Sequence, residues 1–256
     1  MATMGSDAGC RDDKDLFTVS QAQISQIEQD LHVRGMSILR GAISPDWIEA
    51  ARKEVEAYVE RHGSGDHDLF DLDEWECPAI RQLAENPEME SMLRTLAVQS
   101  SSGVESTESY DRRALRIHDG TRGVIPYLWH YDANTVTAMI PVTVPDAGTG
   151  QFGTLPPDRP IRRSVTSMVR ERMRIGKDPY PKATEQFKKA PERSTYPLIP
   201  GEALIFYGYR TMHTALPWPV GQWRANIVLH YGLPTRLESG PLRAAFGIRD
   251  AITRKR

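Results

Sequence analysis

Hydrophobic and polar positions follow two different rhythms along this chain, and the change falls near residue 112. Before it the period is helical. Val19, Ile24, Ile27 and Leu31 recur at helix spacing behind Ser20, a possible cap, which predicts a helix over residues 19–32. Gly35-Met36-Ser37-Ile38-Leu39 reads as a short buried strand. Ser44-Pro45 sets a capping residue before a proline at the first helical position, and the helix it opens should bury Ile48, Ala51, Val55 and Val59. A short helix over 77–85 and another after Asn86-Pro87, using Met89, Met92, Leu93 and Leu96, complete this half. Residues 99–108 are Ser-rich, nearly lack large apolar side chains, and read as a loop.

Beyond residue 112 the apolar runs become short: 114–118, 124–130, 135–144, 151–155, 203–207 and 225–231. Turn pairs such as Asp119-Gly120, Pro145-Asp146 and Pro200-Gly201 separate them. Many short strands between such turns predict a β sandwich or jelly roll rather than a parallel α/β sheet. Residues 158–193 interrupt the series as helix and loop.

Composition narrows the class of protein. A chain of 256 residues suits one domain with a core that needs no covalent staples. A formal charge of -2 argues against a general nucleic-acid binder, and no apolar run approaches a membrane span. Residues 1–15 are polar and partly acidic, which fits neither signal nor transit peptide, so a cytoplasmic location is expected. The two cysteines, Cys10 and Cys77, offer neither a disulfide framework nor a cysteine-based zinc site.

The near-neutral total conceals two blocks. Residues 66–91 hold nine acids against Arg81, and residues 159–193 hold eleven Lys or Arg against four acids. The basic block either forms a solvated helix face or steers an anionic substrate, including one tethered to an acidic carrier protein. The two blocks could also pair, within the chain or across a homodimer.

The chemistry-bearing candidate is His130-Tyr131-Asp132, at the end of an apolar run. In an extended strand residues i and i+2 share a face, so imidazole and carboxylate would point the same way. Alone, a His-x-Asp means little. Downstream, Gly201 leads a buried strand and a loop that presents His213, and Arg224 opens the last apolar strand. Two histidines and one carboxylate make the facial set that non-heme Fe(II) oxygenases use. Arg224 is the residue type suited to bidentate capture of a carboxylate, although arginine is common here.

With these residues in order, the chain resembles the Fe(II)/2-oxoglutarate-dependent oxygenases, and among them the phytanoyl-CoA dioxygenase-like group. The resemblance runs over most of residues 17–233. It rests on Asp30 to Gly35 with Leu39-Arg40-Gly41, on Leu115 to Gly120, on the 130–132 motif and on Gly148 to Pro156. Gly201 to Phe206, His213 and Arg224 complete it.

The resemblance implies a double-stranded β-helix, of the cupin-like jelly-roll kind, with an N-terminal helical region. It implies Fe(II) held by His130, Asp132 and His213, with 2-oxoglutarate chelating the metal and its distal carboxylate on Arg224. O2 is then consumed, 2-oxoglutarate becomes succinate, and a small organic molecule is oxidised by hydroxylation, desaturation or ring closure, as in secondary metabolism. Related halogenases lack a carboxylate at the position of Asp132, so its presence here disfavours halogenation. Looser matching adds Tyr131, Thr137, Met139 and Asn226 to the cosubstrate site and Arg116 and His118 to the substrate side. The family often carries a hydroxyl two residues after the second histidine, where this chain has Ala215.

The implied organisation is a mobile tail (1–16) and one domain (17–256). Within it, 17–111 is mainly helical support, 112–233 is the β-helix with a lid-like insert at 157–195, and 234–256 is a C-terminal segment. Two other readings share these residues. One is a β-helix metalloenzyme that does not use 2-oxoglutarate, such as an isomerase or another dioxygenase. The other is a degenerate barrel serving as a binding or scaffold protein. Trp129, Trp223, His230 and Tyr231 read as wall or core residues, and His32, His62 and His67 as surface or structural ones outside the barrel.

Overall fold

A computed structural model describes residues 16–70, 72–100, 110–121, 128–146, 148–157, 159, 180–191 and 194–233. The expected strand at 124–130 therefore lies outside the described residues except for its last three. The 101–109 loop, most of the basic block and the C-terminal segment from 234 also lie outside them.

The helical half forms as its periodicity dictates. α1 (Gln21–Arg34) starts at Ser20, whose hydroxyl accepts from the Gln23 amide while the Gln23 side chain reaches back to the Ser20 amide, a reciprocal cap. Ile24, Ile27 and Leu31 are its buried residues. β1 (Met36–Leu39) follows directly, and then α2 (Pro45–His62). Ser44 precedes Pro45 as expected, but its side chain makes no capping bond. The buried stripe of α2 is Trp47, Ala51, Val55 and Tyr58, with Ile48 and Val59 only partly covered. The expected stripe is thus rotated by one position at both ends, where large aromatic rings take the core side.

α3 (Pro78–Ala84) is capped from outside by the Glu54 carboxylate, which accepts from the Ala79 and Ile80 amides at 2.7 and 3.1 Å. Asn86 caps α4 (Pro87–Ser100) with its side-chain oxygen. α4 takes in Gln99 and Ser100, which the sequence pattern assigns to the loop. The domain also begins earlier than expected. Leu16 is buried, its carbonyl accepts from the Ser44 amide, and Phe17 bridges Ile43.

Two antiparallel sheets carry the rest. The larger has the order β1-β7-β4-β9-β3-β2, with β2 (His67–Leu69), β3 (Tyr110–His118), β4 (Val136–Thr143), β7 (Ala203–Phe206) and β9 (Arg224–Tyr231). His67 is therefore part of the sheet's edge strand, not outside the barrel. The smaller has the order β6-β5-β8, with β5 (Phe152–Thr154), β6 (Thr195–Tyr196) and β8 (His213–Ala215). α5 (Tyr180–Lys189) lies between β5 and β6 in the chain.

Alternation sorts the large sheet's residues onto two faces. Leu115, Ile117, Ala138, Ile140, Ile205, Ile227 and Leu229 pack with the helices in one core. Met36, Ala114, Met139, Leu204, Phe206 and Val228 pack the other way, with Phe152 of the small sheet. The second face is the inside of a double-stranded β-helix. Covering one face with helices and the other with a small sheet explains why β4, β7 and β9 are buried almost throughout.

Candidate metal centre

Three chain segments bring the three candidate ligands together. His213 opens β8. His130 lies in no strand but forms an isolated bridge with it, through paired backbone bonds of 3.0 Å in both directions. That bridge sets the two imidazoles 4.3 Å apart between ring centres. Asp132 is placed by its own amide, which donates to the Gly208 carbonyl at 3.0 Å. Gly208 has to be small here, because a Cβ on it would lie 2.8 Å from both the Asp132 Cβ and the Asn134 carbonyl oxygen.

His130, Asp132 and His213 each turn one ligand atom to a common point, all within 4.8 Å of one another. Asp132 Oδ1 lies 3.7 Å from His130 Nε2 and 3.6 Å from His213 Nε2. The other ring nitrogens fix the tautomers. His130 Nδ1 meets the Leu128 carbonyl at 3.0 Å and His213 Nδ1 meets the Thr211 carbonyl at 2.9 Å. A carbonyl can only accept, so each Nδ1 carries the proton and each Nε2 keeps its lone pair for a metal.

Electrostatics point the same way. Burial, then the neighbouring His213, pushes His130 down to about 4 against the pull of Asp132, so the ring is neutral near pH 7. Burial alone would raise the Asp132 carboxyl, but His213, His230 and His130 outweigh it and hold that group well below its ordinary range. Two neutral imidazoles and a carboxylate suit a divalent first-row metal.

His230 is the neighbour that the sequence reading left in the core. Its Nδ1 lies 3.1 Å from the Thr137 hydroxyl, which itself lies 2.8 Å from Asp132 Oδ2. A hydroxyl has one proton to give, so Thr137 donates to the carboxylate and accepts from His230. The signal was available: Arg224, Asn226, Val228 and His230 alternate along β9, so the face expected to carry Arg224 and Asn226 must carry His230 too.

The remaining expected residues divide. Arg224 is buried; among the described residues its Nη2 meets only the Met139 sulfur, at 3.9 Å, and its Nε has no hydrogen-bond partner. Its guanidinium sits 5.3 Å from the Trp218 ring centre, and burial, then Arg116, lowers it to about 10. Asn226 is buried on the same face with its Oδ1 unpaired. Met139 and Thr137 line that face beside them. Tyr131 points elsewhere, with the Arg159 guanidinium 3.2 Å from its ring centre. Arg116 and His118 both reach Asp68 Oδ1, at 3.5 and 3.1 Å. Ala215 shares the inner face with His213, so the position two residues past the second histidine offers no hydroxyl. Trp129 is a wall residue, buried and donating to Thr184, while Trp223 packs on the helical core.

By sequence, no family model and no curated protein matches the chain. By structure, it is similar to the non-heme alpha ketoglutarate dependent epimerase SnoN from nogalamycin biosynthesis. That match has a TM-score of 0.56 at 13% identity and covers 83% of this chain and 82% of SnoN. It is also similar to a Pseudomonas putida prolyl-4-hydroxylase, with a TM-score of 0.52 at 14% identity over 82% of this chain and 98% of that one. A third is a Trichoplax adhaerens prolyl hydroxylase in complex with a hypoxia inducible factor peptide fragment, with a TM-score of 0.52 at 15% identity over 87% and 99%. The chain shares their fold. A second structure of SnoN, similar at a TM-score of 0.55 and 14% identity over 83% of this chain and 85% of SnoN, is in complex with Fe3+, alpha ketoglutarate and nogalamycin RO. The His130, Asp132 and His213 donor set of the present chain is of the kind that holds a divalent first-row metal such as iron. Among the described residues, no helix is long and apolar enough to cross a membrane.

Proposed function

We propose that this protein is a non-heme Fe(II)- and 2-oxoglutarate-dependent oxygenase that oxidises a small organic molecule. One observation carries the reading: the inner face that approaches the His130, Asp132 and His213 cluster also holds Arg224, a buried cation with no carboxylate partner among the described residues. A buried unpaired guanidinium is costly, and binding a carboxylate relieves it. The residues therefore fit both groups, a divalent metal at the triad and a dicarboxylate reaching from it toward Arg224.

Bound iron supplies O2 activation coupled to oxidative decarboxylation of 2-oxoglutarate to succinate. The chain's own residues prepare for that chemistry. His130 and His213 present Nε2 lone pairs in fixed tautomers. Asp132 supplies the single negative charge and is held by Thr137 so that one oxygen faces the metal. Arg224 takes the distal carboxylate of the cosubstrate, with Met139 and Asn226 beside it on the same face. Phe206 and Phe152, whose ring centres lie 4.6 and 5.5 Å from that of His213, keep water from its inner side.

Within this class the order of motifs favours the phytanoyl-CoA dioxygenase-like group. The fold likeness to SnoN, from nogalamycin biosynthesis, supports a role in secondary metabolism. Because Asp132 retains a carboxylate, hydroxylation, desaturation, cyclisation or epimerisation fits better than halogenation. Succinate formation from 2-oxoglutarate with added Fe(II) tests the reading. Turnover is expected in the wild type and absent from His130→Ala and Asp132→Ala. Turnover that persists in either variant rejects the ligand assignment. Metal binding without any 2-oxoglutarate binding would favour an enzyme that does not use this cosubstrate, and binding of neither would favour a scaffold.

A further inference from the structure

Strand register arranges the inner face into rows. Thr137 and His230, beside Asp132, form the row nearest the metal ligands, and Met139 and Val228 form the next. Arg116 and Asn226 are paired in the third, with Asp68 beyond Arg116, and His118 and Arg224 are paired in the fourth. Arg224 reaches back from the fourth row to touch Met139 in the second. Asn226 and Arg116 therefore lie alongside the Arg224 side chain, on the side toward β3 and the sheet edge.

Arg116 is a second cation on this face, and its pairing is incomplete. Among the described residues its ion-pair partner is Asp68 Oδ1, 3.5 Å from Nε and without a hydrogen bond. That oxygen is shared with His118 at 3.1 Å. Arg116 Nε is shielded from solvent without a hydrogen bond, and so is Asn226 Oδ1 across the strand pair. The rest of the side chain is 37% exposed, so its outer nitrogens can be reached.

We infer that Arg116, with the Asn226 amide beside it, binds a carboxylate of the substrate, so that the substrate is a small organic monoanion. This rests on the reading of Arg224 as the cosubstrate's anchor; of the other arginines on this face, Arg112 is exposed and lies over the Phe70 ring, while Arg116 is held only by Asp68 at 3.5 Å. Its planar fork of donors suits a carboxylate. A singly charged group fits better than a phosphate dianion, because Asp68 already offsets part of the guanidinium charge. Asp68, on a three-residue edge strand, competes with the substrate for Arg116.

The test uses the Fe(II)- and 2-oxoglutarate-loaded protein under anaerobic conditions, with binding read by calorimetry. The probes are benzoate, phenylacetate and hexanoate, each against its primary amide. At least one carboxylate should bind the wild type about tenfold more tightly than its amide, the worth of one charged hydrogen-bonded pair. Arg116→Gln should abolish that preference while holding 2-oxoglutarate affinity within about twofold. Asp68→Asn should tighten carboxylate binding, an opposite sign that loss of a merely structural ion pair does not give. No preference in the wild type overturns the inference, as does a preference that survives Arg116→Gln. It also falls if Arg116→Gln weakens 2-oxoglutarate as much as Arg224→Gln does, because Arg116 would then belong to the cosubstrate site. If the protein binds neither iron nor 2-oxoglutarate, the oxygenase reading fails, and the same comparison on metal-free protein decides the role of Arg116 separately.

Discussion

Asp132 Oδ2 accepts the Thr137 hydroxyl at 2.8 Å, which leaves Oδ1 as the oxygen that faces both histidine rings. The carboxylate is thus oriented before any metal arrives. Its second oxygen is occupied, so it is set to bind through one oxygen and leave room for other ligands. Replacing Thr137 by Val keeps shape and β propensity but frees Oδ2 to rotate. Metal affinity should fall by about 10- to 100-fold, the usual effect of removing a group that orients a ligand. Chelator competition measures it, Thr137→Ser should restore it, and an unchanged affinity would show that the hydroxyl does not position Asp132.

Arg224 links stability and function with opposite signs. In the free protein it is a buried cation with a thioether and an indole for neighbours. Arg224→Met exchanges that cation for a side chain that packs beside Met139 and Trp218. The free variant should gain about 1–3 kcal/mol of stability, since apolar replacement of a poorly compensated buried charge is often stabilising. It should also lose the rise in thermal midpoint that 2-oxoglutarate gives the wild type by mass action. A 2-oxoglutarate shift that persists in the variant would move the cosubstrate anchor elsewhere.

The site's main parts were legible because each is marked locally. His130 and Asp132 are two residues apart, His213 follows a glycine turn and an apolar strand, and Arg224 opens another. What joins them was not legible. His130 is joined to His213 by a single bridge, a pairing across 83 residues that no local pattern encodes. Thr137 and His230 meet only through the β4–β9 register, so alternation could place them on a face but not beside Asp132. In the helical half, spacing located α2, while packing of Trp47 and Tyr58 decided which stripe is buried.

Metal-free protein should lose stability as pH falls from about 6.5 toward 4, partly because of His130. Its folded value is below the ordinary histidine value, so in that window the unfolded chain binds a proton that the folded site refuses. His230, lowered by burial, acts in the same direction. Asp132 adds to the loss only near the lower end of the window, where the unfolded carboxyl begins to take up a proton that the depressed folded carboxyl does not. Thermal midpoints after chelation, compared between wild type and His130→Gln, isolate the effect. The wild type should fall relative to the variant as pH drops from 7 to 4, and parallel profiles would contradict it.

Gly208 separates damage at the site from damage to the fold. A methyl group there would crowd the Asn134 carbonyl and the Asp132 Cβ, both at 2.8 Å, and the Thr137 hydroxyl at 3.0 Å. Two of those atoms are backbone or close to it and cannot swing aside, so the 132–137 segment must shift. Gly208→Ala should cost about 1–3 kcal/mol, as overpacking does, and should also weaken metal binding by moving Asp132. Gly41 provides the contrast. It has a φ of +67° and nothing within 4 Å of a built Cβ, so Gly41→Ala bears only the left-handed backbone penalty, about 1–2 kcal/mol. Both variants should lower the thermal midpoint, but only Gly208→Ala should raise the dissociation constant for Fe(II) or Mn(II). If Gly41→Ala weakened metal binding equally, the loss would follow global stability, and the close approach at Gly208 would not be what places Asp132.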